Sequence, residues 1–366
     1  MKVLLPLRYL KFLIDSLILN FNTIFSGEYK VIFDKCQRGC SHIRALKGEN
    51  ETTSLVDLLR ASLYAGYPVF LSIKELQDFL SEDFRLLRRK LTGIRAWQFV
   101  KFLIALSFLK VENNSWILDR SFILLDRGEK TIISQLLGVL FAIVSAEKKL
   151  EVSYYIYTHL LDLNCKGRQA DFLGLKLPNQ GIILEAKGST QERNIRKIEE
   201  ACKKDKPQVE NTINCFSDFE SEIELKGYIS ITQLSNSSIS TYLIDPPPYK
   251  KGCLPNKNII LHYIPIISFL ESKLKNNEQI KEIKVVGEIF KIGYISNFLK
   301  IGLHKEIYTI LKKKEFSFKE LEEYIQKFKK IREKINSKTI SLGLDGIIFI
   351  IDEDKIKKPC YELISR

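Results

Sequence analysis

The chain of 366 residues has only four histidines, at 42, 159, 262 and 304. None stands near a serine or cysteine in a nucleophile pattern, which excludes Ser–His and Cys–His hydrolysis as a starting point. There is no Walker-type loop and no dinucleotide glycine motif, so ATP-driven work would need a separate protein. The seven cysteines (36, 40, 165, 202, 215, 253, 360) are odd in number and scattered. That excludes a small disulfide scaffold and fits reduced thiols in a cytoplasm. Cys36, Cys40 and His42 begin a zinc-like pattern, but no second ligand pair follows. Long apolar runs are also missing. The longest uncharged run, "TIISQLLGVLFAIVSA" at 131–146, is short for a membrane span and contains Gln135, so a buried helix of a soluble domain is expected. The opening "MKVLLPLRYLKFLIDSLILNF" is interrupted by Arg8, Lys11 and Asp15 and lacks a small-residue cleavage site, so no signal peptide is expected. No repeat or low-complexity tract is present.

Apolar residues make up 45% and charged residues 28% of the chain, and 57 Lys and Arg against 44 Asp and Glu give a net charge of +13. This describes a folded protein of two or three domains with a polyanionic partner, nucleic acid before an anionic membrane. Residues 1–125 read as mainly helical. Within them, 54–120 gives three helical patterns, "SLVDLLRASLYAG", "SIKELQDFLS" with Ser72 and Glu75 as a capping box, and "RAWQFVKFLIALSFL". A hairpin around Asn113-Asn114 follows. That order resembles a winged helix, a DNA-reading module. Residues 126–248 alternate helix and strand as a mixed α/β domain. "DPPPYKKG" at 245–252 marks a boundary. Residues 249–366 form a Lys-rich α+β region. There an amphipathic helix puts Phe318, Leu321, Ile325, Phe328, Ile331 and Ile335 on one face, and "LGLDGIIFIID" reads as a buried strand.

The chemistry concentrates in "ADFLGLKLPNQGIILEAKGS", 170–189. Two apolar strands there carry Asp171, Glu185 and Lys187, charges that are costly in a buried sheet unless paired or bound to a metal. A three-residue loop of Asn179, Gln180 and Gly181, with glycine at the left-handed position, sets Leu175 opposite Glu185. With period-two alternation, that register puts all three charges on one side of the hairpin. Two carboxylates and one ammonium suit a divalent cation with hard oxygen ligands, Mg²⁺ above all.

This pattern resembles the PD-(D/E)xK motif of the restriction-endonuclease-like superfamily, over roughly 129–245. The resemblance implies a mixed sheet flanked by helices: a helix at 131–146, three antiparallel strands including the hairpin, a helix within 191–216, and a last strand at 226–234. It also implies Mg²⁺-dependent cleavage of DNA phosphodiesters, with Mn²⁺ able to substitute. Asp171 and Glu185 would ligate the metal and Lys187 would serve the attacking water. The residue before the acid is Ala170 rather than proline. A first-helix glutamate, present in many members, stays open between Glu129 and Glu147. Gln208 is the candidate polar residue on the second helix, with Asp205 as that helix's cap and Pro207 in its first turn. Arg168 is a candidate phosphate contact. The resemblance implies a bacterial restriction, anti-phage or mobile-element setting, acting as a homodimer or with a partner subunit. The alternative is a winged-helix DNA-binding protein with an inactive nuclease-like domain. No aromatic stacking module points to RNA.

Overall fold

The computed structural model describes residues 26–34, 40–65, 101–161, 165–176, 180–190, 195–216, 223–245, 250–252, 259, 262–263, 266–267, 269–271, 280–295, 298–313, 318–335 and 337–352. The protein is mixed α/β, with a large mixed sheet flanked by helices. The expected helical pattern at 72–81 and residues 95–100 of that at 95–109 lie outside the described residues, and 101–106 are helical as expected.

The central unit begins with helix Arg127–Leu150. Asp126 accepts from the Glu129 backbone and Glu129 reaches back to the Asp126 N–H, a capping box that fixes where the helix starts. Three antiparallel strands follow: β5 (Tyr154–Tyr157), β6 (Phe172–Lys176) and β7 (Gln180–Ser189). Helix Ile195–Cys215 crosses over to β8 (Ile223–Leu234), which runs parallel to β7, and β9 (Ile239–Ile244) returns antiparallel to β8. Helix, three antiparallel strands, helix, further strand is the order expected for 129–234. By length and composition Arg127–Leu150 could cross a membrane, but its apolar residues lie against β7, β8 and β9.

The described part of the first 125 residues contributes four strands to this same sheet. β1 (Ser26–Phe33) pairs parallel with β9, and β2 (Gly48–Ser54) pairs antiparallel with β1. The anticipated hairpin forms as β3 (Leu109–Glu112) and β4 (Ser115–Leu118). Asn113 and Asn114 between them take φ of 50° and 63°, as a two-residue turn requires. β4 then joins β1, so the hairpin extends the main sheet. β2, "GENETTS", is too polar to read as a strand; it forms because β1 offers it an edge.

Helix α1 (Leu55–Ala65) is buried almost all round, between the helix Arg127–Leu150, here α2, and the last strands of the chain. Those strands form a second, five-stranded sheet: β11 (Lys281–Val285), β12 (Glu288–Tyr294), β13 (Leu299–His304), β15 (Ile347–Ile351) and β14 (Ile340–Leu342), in that spatial order. The helix Ile195–Cys215 is α3, and two more, α4 (Lys305–Ile310) and α5 (Phe318–Lys334), belong to this region. Leu321, Ile325, Phe328 and Ile331 are buried on one face of α5, as its periodicity predicts; Phe318's side chain lies outside the described residues. The segment read as a boundary ends in β10 (Lys250–Gly252), which pairs with β8, so it is stitched to the central sheet.

Two expectations need correction. α3 runs straight through Pro207, so Asp205 is no cap and no free helix terminus lies there. The proline removes one ladder hydrogen bond, but the buried stripe Ile198, Cys202, Val209 and Ile213 carries the helix past it. The thiols at four positions are also not free: Cys40 is bonded to Cys202 and Cys165 to Cys215. Residues 162 and 50 positions apart are brought together only by tertiary packing. Cys40 therefore takes no part in a zinc site.

Candidate active site

The hairpin register differs from the one expected. Lys176 opposes Gln180 and Phe172 opposes Leu184, so the connection is 177–179 and both Gln180 and Gly181 belong to the β6–β7 ladder. Gly181 does not adopt a positive φ. It is small because a Cβ there would come within 2.6 Å of Leu225 Cδ2 on β8. The shift is an even number of residues, so side-chain parity survives. Continued by one pair, the ladder brings Asp171 directly opposite Glu185, closer than the expected register would.

Asp171 sits at the mouth of β6. Its Oδ2 accepts from the Ala186 backbone N–H at 2.9 Å, which binds the two strands where the carboxylates meet. Glu185 is only 1% exposed. One of its oxygens, Oε1, is ion-paired with Lys187; the other, Oε2, is buried without a hydrogen-bond partner. The Lys187 side chain remains 38% exposed.

α3 supplies a residue the sequence reading did not assign to the site. Asp205, 7% exposed, lies 4.0 Å from Lys187 Nζ. Gln208 donates to Asp205 Oδ1 at 3.5 Å, a long bond, so it supports Asp205. The stripe at 198, 202, 205, 209 and 212 would have revealed an acid on the buried face of α3, had the helix been continued through Pro207.

α3 also holds the approach to Asp171. Thr212 Oγ1 accepts from the Ala170 N–H at 2.8 Å and donates to the Gln208 carbonyl at 2.8 Å. Asn211 donates to the Arg168 carbonyl at 3.0 Å, and the Cys165–Cys215 bond ties the start of this loop to the end of α3. The Arg168 side chain is exposed. On the opposite face of β7, α2 rides on the strand backbone. A Cβ on Gly188 would fall 1.7 Å from the Ser134 carbonyl, and one on Gly138 2.4 Å from Gly188 N.

Neither first-helix glutamate reaches the carboxylates. Glu129 is used in the capping box, and Glu147 is buried against Arg60 at 2.7 Å and against Arg332.

Three carboxylates against one ammonium leave this pocket short of positive charge. Burial, then the neighbouring Asp171, push the Glu185 carboxyl up to about 8, and Lys187 does not offset them. Burial likewise raises Asp171. Burial alone would lower the Lys187 ammonium, but Glu185, Asp205 and Asp171 outweigh it and raise it. A proton or a cation on the cluster would relieve the repulsion among its carboxylates. Among the described residues, no group of three or more His, Cys, Asp or Glu side chains is gathered closely enough to hold a metal unaided. Asp171 and Glu185 offer a two-carboxylate seat, and the unpartnered Oε2 fits a hard cation completed by water and substrate oxygens.

Comparison with family models, with curated proteins and with solved structures gives no match.

Proposed function

We propose that the protein is a Mg²⁺-dependent endonuclease of the PD-(D/E)xK type that hydrolyses DNA phosphodiesters. The observation that carries this reading is the buried, unpartnered Glu185 Oε2 set across the hairpin from Asp171, with Lys187 alongside. The succession of α2, β5 to β7, α3 and β8 supports it, because it follows the core order of that superfamily. The net charge of +13 supports a polyanionic substrate.

Asp171 and Glu185 would hold Mg²⁺, with Mn²⁺ able to replace it. When bound, the ion polarises the scissile phosphate and makes water a nucleophile near neutral pH. Asp171 is kept in place for this by the Ala186 N–H, and Glu185 by burial beneath α3. Lys187 carries its ammonium to the edge of the pair, where it orients the attacking water and offsets charge on the phosphate. Arg168, exposed on the loop leading to Asp171, would contact a backbone phosphate. Cutting both strands would need two such centres, hence two copies or a partner subunit.

The test is nicking of supercoiled DNA, with single-stranded DNA and RNA in parallel, each with Mg²⁺, Mn²⁺ or EDTA. Wild type should cut DNA only with metal, and Asp171→Asn, Glu185→Gln and Lys187→Ala should each lower the rate by about 100-fold or more. Preference for RNA would change the substrate class. If wild type bound DNA but cut none of the three with either metal, the protein would be a DNA-binding protein with a nuclease-like centre.

A further inference from the structure

The Lys187 ammonium is positioned by more than its own strand. In the nuclease reading, on which this inference rests, Glu185 serves two cations, Lys187 at Oε1 and the metal at Oε2. Two cations on one carboxylate repel each other. Lys187 has a flexible four-carbon stem and an open route to solvent, its side chain being 38% exposed. Without a second anion it would swing into water as the metal arrives. Asp205 supplies that anion from a different element. Its buried carboxylate stands 4.0 Å from Nζ, on the face of α3 turned toward β7, and Gln208 anchors the oxygen nearest the ammonium.

We propose that Asp205 is a positioning residue that retains the Lys187 ammonium beside the carboxylate pair when a divalent cation occupies it, with Gln208 bracing Asp205. Asp205 acts on the reaction only through Lys187 and does not ligate the metal. Charge balance agrees: three carboxylates and one ammonium sum to −2, which one divalent cation cancels.

The test combines three readouts on the full chain. The first is ¹⁵N NMR of lysine side-chain ammonium groups at saturating Mg²⁺, with the Lys187 signal identified by its loss in Lys187→Arg. It should report restricted motion in wild type and the mobility of a surface lysine in Asp205→Asn. The second is calorimetric Mg²⁺ binding. Asp205→Asn should keep Mg²⁺ binding, weakened by no more than about 10-fold, while Glu185→Gln loses it, because Asp205 is an outer partner and Glu185 a ligand. The third is kinetic. Asp205→Asn should lower kcat about 10-fold with KM for DNA unchanged. Asp205→Glu should restore most of the rate, and Asp205→Asn should cost nothing more in a Lys187→Ala background. If Asp205→Asn does not fold, Asp205→Ser is read in the same way. Unchanged Lys187 mobility, or loss of Mg²⁺ binding in the Asp205 variant, overturns the proposal even if the wild type cuts DNA. A wild type that binds no Mg²⁺ and cuts nothing overturns the nuclease reading, and this proposal with it.

Discussion

At the scale of single residues, Glu185 is costly to the fold and useful to the site. With its carboxyl raised from 4.5 to about 8, the metal-free folded state binds more protons than the unfolded chain between those values. Its contribution is therefore most favourable below pH 4.5 and is lost as pH rises through about 8, with a limiting slope of about 1.4 kcal/mol per pH unit. Asp171 pulls in the same direction. Urea unfolding from pH 4.5 to 8.5 in EDTA should show Glu185→Gln gaining on wild type as pH rises, and saturating Mg²⁺ should shrink the gap. Parallel curves would mean that Glu185 is charged and content in the fold. The sequence made this part legible: strand alternation and loop parity place Asp171, Glu185 and Lys187 on one face, and that conclusion survives a wrong loop because the error was even. Asp205 was not legible in the same way. A proline two residues downstream imitates a helix start, and only tertiary packing reveals that the helix began ten residues earlier, at Ile195.

At the scale of elements, α3 does more for the site than its polar sequence indicates. It brings Asp205 to Lys187, with Gln208 bonded to Asp205, and, through Thr212, holds the Ala170 N–H just ahead of Asp171. Thr212 is fully buried, so Thr212→Val leaves that N–H without its acceptor, at a cost of about 1–3 kcal/mol. Because the lost bond steers Asp171, the variant should also bind Mg²⁺ more weakly. A stability loss with unchanged Mg²⁺ affinity would show that the tether supports only the fold. Elements with a strong period were readable, such as the apolar α2 and the face of α5. Elements that depend on a neighbour were not, as the polar "GENETTS" strand illustrates.

At the scale of the whole molecule, the two sheets are joined by buried charge. Arg60 of α1 meets Glu147 of α2 at 2.7 Å, Ser341 of β14 at 2.8 Å and Tyr64 at 2.9 Å. Tyr64 passes the link to Asp345, which also holds His262 at 2.6 Å, and Arg332 of α5 reaches Glu147 from the far side. His262 is thus a core residue within a polar network. Breaking one partner strands the others in a poorly solvated interior. Glu147→Gln should cost about 3–5 kcal/mol. Denaturation of wild type followed by far-ultraviolet circular dichroism and by tryptophan fluorescence should give coincident curves. Separate transitions would mean that the network does not couple the sheets. None of these partners is adjacent in sequence, so chain order alone divides the protein into stretches that the fold then interleaves.

The paired glycines behind Lys187 bear on how this centre can vary. With Gly138 and Gly188 in backbone contact, the rear of β7 at Gly188 has no room for even a methyl group, while the front of the strand carries the charges. Remodelling is thus confined to one side. New chemistry can be written into the groove under α3, but the wall behind it admits no thickening without prising helix from strand.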